Sequence, residues 1–320
     1  MSPVSMRYGV RPLFMALTLL CAAALSFALA IPSASAQEIL GPEALKKEDR
    51  DLDEVTASGF IEIAVYRDFP PYSFEDADGN PAGIDIDVGK LIAAKLGVEP
   101  HWFWVNPDEN LEADLRNAIW RGSLFDGTRA DLMLRVPYDS EYAHAIDGYG
   151  LPKHEHVAFF GPYHQESWAI ARDLKKTGEV RNLAIFAYEK VGVEIASLPD
   201  TMLLSAFNGR LRSNVTHYGK IFEALDGLRA GEVAAVVGMR SQIEYGLREV
   251  PGSFDVDTDG LEQLTKLGWD IGAAVRENHR QLANEVDYIL EQAVRSGEIK
   301  EIFEHYAVTF DQPSVYDVSE

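Results

Sequence analysis

Residues 60–96, FIEIAVYRDFPPYSFEDADGNPAGIDIDVGKLIAAKL, decide how the chain is read. Residues 60–65 alternate and are rich in β-branched side chains, which suits a strand. Asp68, Phe69, Pro70, Pro71 and Tyr72 end it, because two prolines remove two ladder donors. Asp78-Gly79-Asn80-Pro81 is a turn. GIDID at 83–87 alternates apolar and acidic residues, and 88–96 carries apolar side chains at helical spacing. A strand that runs into a loop of rings and then a helix puts that loop at the rim of a site.

The same pattern resembles the N-terminal signature of bacterial periplasmic solute-binding proteins of the polar amino-acid type, family 3. That signature is a strand, a PPYSF-like loop, a DGN-x-x-G turn, and a glycine followed by alternating apolar and acidic residues that open a helix. Further elements resemble the family downstream: VAFFGPY at 157–163, KVGV at 190–193, the helix-strand pair ending in VVG at 236–238, and WDIGAAVR at 269–276. The likeness runs from Gly59 to Phe310.

Working outward, the 320 residues are enough for two lobes. Residues 1–36 read as a cleavable signal peptide. Arg7 and Arg11 form its basic region, 13–30 its apolar stretch, and Ala34-Ser35-Ala36 its cleavage site. A retained anchor is the alternative, since the apolar stretch nearly suffices to span, but the cleavage site favours removal. Cys21 follows Leu20 rather than a small residue, so lipidation is not expected. The chain has one cysteine, inside this leader, and the mature protein is expected to hold neither disulfides nor thiolate metal sites. The net charge of −22 becomes two units more negative when the leader leaves. Such a protein is repelled by nucleic acid and anionic membrane. Residues 37–58 are charged, lack aromatic side chains and read as a linker, with a short helix beginning at Pro42.

Strands and helices alternate along the rest, which gives an α/β class. The resemblance supplies the architecture: a periplasmic-binding-protein type II fold, with two α/β lobes joined by two hinge crossovers. Lobe one is expected at 59–163 plus 268–310, lobe two at 164–267, and a polar tail at 311–320. The strand at 98–104 carries Trp102 and Trp104 on one face, where core packing is the commoner role.

Two anchor positions depart from the family. Its amino-acid binders end the loop after the third strand in threonine-x-x-arginine, and that arginine grips the ligand carboxylate. Here the loop reads RVPYDSEY, and Tyr142 stands near the arginine's place. Arg135, at the end of its strand, offers a planar fork suited to a carboxylate. The family also carries an acid for the ligand ammonium where this chain has Met239; Arg240 follows it. Ser197 is an N-cap at a turn the family uses for ligand carboxylate. The expected ligand contacts are therefore Tyr72, Phe74, Arg135, Tyr142, Ser197 and Arg240, each weighed against capping, core or salt-bridge roles.

His144, His154, His156 and His164 cluster, and His154-Glu155-His156 would share one strand face, a spacing used by metals. Histidine density at an exposed strand edge is commoner, and no metal site is assigned. No nucleophile elbow, phosphate loop or HExxH motif is present, and no cofactor is expected. The resemblance implies a non-enzymatic, monomeric periplasmic protein that captures a small anionic or aromatic solute for an inner-membrane ABC permease. Trp102, Trp104, Leu115-Arg116-Asn117 and Val136-Pro137 also resemble homologues associated with quinoprotein dehydrogenases, which implies an accessory or quinone-cofactor-binding partner as the alternative. A periplasmic dehydratase is the third reading, without a particular acid to nominate.

Overall fold

A computed structural model describes residues 50–316, apart from 125, 263 and 265. The leader, its cleavage site, the helix expected at Pro42 and the last four residues lie outside the described residues.

Strands are numbered in chain order. β1 (Phe60–Tyr66) lies between β4 (Glu99–Val105) and β5 (Leu132–Pro137), parallel to both. β2 (Phe74–Glu75) and β3 (Pro81–Ala82) close a small hairpin across the turn. In the second half, β7 (Val191–Glu194) runs parallel to β8 (Val215–Tyr218) and β9 (Ala235–Met239). Two long antiparallel strands join the halves: β6 (Val157–Arg172) and β11 (Gly268–Arg276). β11 pairs with β5 on its other side. β6 continues past it to pair with β9 and with β10 (Asp255–Asp257). The order β4-β1-β5-β11-β6-β9-β7-β8 thus has parallel ends and an antiparallel middle. Two α/β lobes with two crossovers are what the sequence led us to expect.

Each half buries both sheet faces, which explains its near-continuous apolar strands. In the first, Ile61, Ile63 and Val65 pack with helices Ile84–Leu96 and Arg280–Ser296, while Ala64, Met133 and Val136 pack with Leu115 and Ile119. In the second, Val191, Val193 and Val237 meet Phe186 and Leu203 on one face, and Ala169, Ala171 and Val236 meet Leu225 and Ile243 on the other. Trp102 and Trp104 pack against the first of these cores.

Three local readings differ from the structure. The stretch taken as linker includes a helix, Leu52–Ser58. Asp51 and Glu54 close a reciprocal capping box at its start, and Val55 is buried in the first core. His154 and His156 lie in a turn, not a strand. His154 stacks on Tyr142 at 4.4 Å and His156 on Trp120 at 4.6 Å. Among the described residues no group of three His, Cys, Asp or Glu is arranged to hold a metal ion. The described part of the polar tail, residues 311–316, is finally a strap across the hinge. The Gln165 amide donates to Asp311 O (2.9 Å), and Ser314 Oγ donates to Asp270 (2.6 Å). Thr309 N donates to Glu244 (2.6 Å) and Arg240 pairs with Asp311 (3.0 Å). Beneath the strap, His164 is buried against Phe303 and Phe310, and burial holds its imidazole neutral, well below the ordinary pKa.

Asp131, just before β5, fixes the β1 edge. Its Oδ2 accepts the Glu62 amide (2.8 Å) and lies 3.2 Å from Arg50. Burial nonetheless pushes its pKa from 3.8 up to about 6. A raised folded pKa means stability that is full below the unfolded value and lost as pH rises through about 6. A rise of that size is worth about 3 kcal/mol. Asp131→Asn should therefore gain on the wild type between pH 4 and pH 7.5, read by urea unfolding at both. A constant difference between the two would show that Asp131 titrates normally.

Candidate functional site

β5 and β11 lose register once, between Gly272 and Ala273, which oppose Val136 and Leu134. Arg135 is the residue left over. It adopts φ +60°, a left-handed conformation rare for a long side chain. A bulge of this kind re-aims a side chain. The Arg135 amide, freed from the ladder, donates to Tyr163 Oη at 3.2 Å.

The guanidinium is held from two sides. Nε donates to Asp85 Oδ2 at 2.7 Å, and Tyr163 donates to Asp85 Oδ1 at 2.9 Å. The Tyr72 ring lies beneath it, 3.2 Å from Cζ to centroid. Tyr72 in turn donates to Glu166 on β6, whose other oxygen accepts the Ser167 amide at 3.0 Å. Burial alone would lower the Arg135 pKa, but Asp85 acting together with Tyr72, Tyr163 and Glu166 outweighs it and keeps the group cationic. Burial raises the Glu166 carboxyl above the usual range. Arg135 Nη2 is buried and has no hydrogen-bond partner among the described residues.

Asp85 and Tyr72 reach this place because loop and helix are stitched together. The first helical amides, Ile84 and Asp85, donate to Pro71 O (2.9 Å) and Tyr72 O (2.8 Å). Gly83 carries the approach at φ +121°, and its amide donates to Tyr306 Oη at 2.9 Å.

Arg135 opens onto a cleft of about 460 Å³, within the range of small-molecule sites. Its walls come from both ends of the hinge region: Tyr66 at the end of β1 and Phe69 after it, Asp108 and Asp114 after β4, and Met239 and Trp269 opposite. A smaller recess of about 200 Å³ shares Asp68, Phe69 and Met239. Contacts bridge the rims: Lys220 to Asp68 at 2.6 Å, Gln242 Nε2 donating to Pro70 O at 3.4 Å, and Lys266 to Asp139.

Of the residues singled out from the sequence, the structure brings Tyr72 and Arg135 together. Arg135 lines the cleft, and Tyr72 supports it from behind. Phe74 faces Tyr245 across a separate recess. Tyr142 packs on His154 and Phe159. Ser197 caps helix Leu198–Gly209, accepting the Asp200 amide at 3.2 Å. Arg240 binds Glu244 at 2.8 Å as well as Asp311. Sequence reasoning passed over Asp85, Tyr163, Glu166, Asp114, Phe69 and Trp269. Phe69 lay in the aromatic loop already singled out, and Asp85 in the GIDID run. Tyr163 closed the VAFFGPY stretch and Trp269 opened WDIGAAVR, both quoted for the fold and not for the site; Glu166 and Asp114 carried no local signal.

A sequence model of the family described as bacterial extracellular solute-binding proteins, family 3, matches residues 61–119. The chain is 27% identical over 74 residues to cyclohexadienyl dehydratase of Pseudomonas aeruginosa; the match spans 23% of this chain and 28% of that protein. Solved structures share the fold. An ancestral cationic amino-acid solute-binding protein (AncCDT-1) superposes with a TM-score of 0.62 at 18% identity, covering 80% of this chain and 98% of that one. An amino-acid ABC transporter substrate-binding protein from Streptococcus pneumoniae, bound to L-arginine, gives 0.57 at 20% identity, covering 82% and 100%. The solute receptor for L-cysteine of Neisseria gonorrhoeae gives 0.53 at 19%, covering 80% and 93%. The likeness to family 3 read from the opening stretch and the type II fold are thus both met.

Proposed function

We propose that this protein captures a small solute in the cleft at Arg135 and hands it, in the periplasm, to an inner-membrane ABC permease. The observation that carries the reading is the cleft itself. It holds a buried guanidinium with one unpartnered nitrogen, surrounded by the rings of Tyr66, Phe69 and Trp269. That combination suits an aromatic solute with an anionic group. The reading requires binding and no chemistry: of the buried acids in the network, Asp85 is paired with Arg135 and Glu166 is engaged by Tyr72. The fold neighbour from Streptococcus pneumoniae solved with L-arginine bound supports capture of a small solute. The dehydratase match covers too little of that enzyme to carry its activity across.

The test is native mass spectrometry of the protein drawn from the cells that make it. One small molecule per chain, released on denaturation, is the expected result. A released mass equal to the quinone cofactor of periplasmic quinoprotein dehydrogenases would replace the permease by a dehydrogenase as partner. Absence of any bound molecule would count against capture.

A further inference from the structure

The charges around the cleft do not balance evenly. Asp85 is neutralised by Arg135 at 2.7 Å and Asp68 by Lys220 at 2.6 Å. Asp108 and Asp114 stand apart. Asp114 Oδ2 accepts the Tyr66 hydroxyl (2.9 Å) and Oδ1 the Asp108 amide (2.8 Å). Asp108 accepts Asn117 Nδ2 (3.1 Å) and the Glu109 amide (2.8 Å). Among the described residues no lysine, arginine or histidine forms an ion pair with either carboxylate. Asp114 is only 4% exposed, and burial together with the Asp108 charge raises its carboxyl above the usual range. Two neighbouring acids that a protein leaves without a cation are relieved when a ligand brings one.

The complementary feature is in the same cleft. Arg135, 7% exposed, carries the unpartnered Nη2. The lining that β9 and the hinge strands offer near it is apolar: Pro137, Met239, Trp269 and Ile271. An ammonium one carbon from a carboxylate at Arg135 would meet these side chains and lose its water without gaining a partner. Tyr66 links the two features. It donates to Asp114, and its own ionisation is opposed by burial first and then by Asp114, and eased by the charge of Arg135.

Resting on the reading of the cleft as a solute site, we propose that it takes a two-ended ligand, with a carboxylate at Arg135 and, across an apolar and preferably aromatic body, an ammonium at Asp108 and Asp114. The class is an ω-amino carboxylic acid; α-amino acids are discriminated against by the apolar surroundings of Arg135. Both ligand charges then meet protein charges of opposite sign, and the ring lies along Phe69 and Tyr66.

Isothermal titration of the full chain with 4-(aminomethyl)benzoate, benzoate, benzylamine and L-phenylalanine tests this. The two-ended compound should bind at least tenfold tighter than any of the other three. Asp114→Asn and, separately, Asp108→Asn should each shrink its advantage over benzoate severalfold. Circular dichroism and thermal unfolding establish that each variant is folded. Benzoate binding as tightly as 4-(aminomethyl)benzoate overturns the ammonium end while leaving solute capture at Arg135 standing. L-phenylalanine binding tightest overturns it in favour of an α-amino acid. If none of the four binds, the proposed class is wrong, and the mass of the natural solute then tells whether capture itself fails.

Discussion

Arg135→Met should cost about 3–5 kcal/mol of folding stability at neutral pH, the usual penalty for stranding one member of a buried ion pair. Asp85 is 1% exposed, and Arg135 is its cationic partner at 2.7 Å. Tyr163 would remain as its donor, at 2.9 Å, but one neutral hydroxyl does not replace a guanidinium. Adding Asp85→Leu should restore most of the loss, because a buried ion pair exchanged for apolar side chains of similar volume is often neutral. Solute affinity should stay lost in the double variant. Urea unfolding and titration together therefore separate what Arg135 does for the fold from what it does for binding. Solute binding that returns with stability would remove Arg135 from the site.

Gly83→Ala should be nearly as severe, about 4 kcal/mol or a failure to fold. The residue sits at φ +121°, and a Cβ there would lie 2.3 Å from the Tyr72 carbonyl oxygen and 2.9 Å from that of Pro71. Neither contact can be relieved by rotating a side chain, since both atoms are backbone. The helix would have to part from the loop, breaking the Ile84 and Asp85 amide bonds to Pro71 and Tyr72. Tyr72 would then leave the underside of Arg135. At Gly79, also at positive φ but with open space around it, the same substitution should cost about 1 kcal/mol. Thermal unfolding of the two variants side by side checks the contrast.

Local signals carried far in this chain. Strand Phe60–Tyr66 stands where alternation placed it, because the side chains that fix its period also contact the core; helix Ile84–Leu96 holds the 88–96 stretch read from helical spacing but starts four residues earlier, taking in the alternating GIDID run that read as a short strand. The capping pattern of Asp51 and Glu54 was equally local and was passed over, so a helix was read as linker. What could not be read was non-local. The bulge at Arg135 exists only in the register between β5 and β11, which are far apart in sequence. The burial of Asp85 depends on a helix N-terminus facing that bulge; in the sequence it is one more acid in an alternating run. Tyr72 reads as a wall of the site until its ring is found beneath the guanidinium. Arg240 reads as a free cation next to Met239 until the tail folds back and supplies Asp311. The histidine pair lacked its strand because residues 153–156 form a turn.

Capture of a solute in the Arg135 cleft is the central claim, and one comparison bears on it most directly. Wild-type protein and a Met239→Trp variant, in which an indole would occupy the shared wall of both recesses, are purified from the producing cells and weighed by native mass spectrometry. The account predicts one small molecule per wild-type chain and none in the folded variant. An empty wild type, or a variant that retains the molecule, would contradict it.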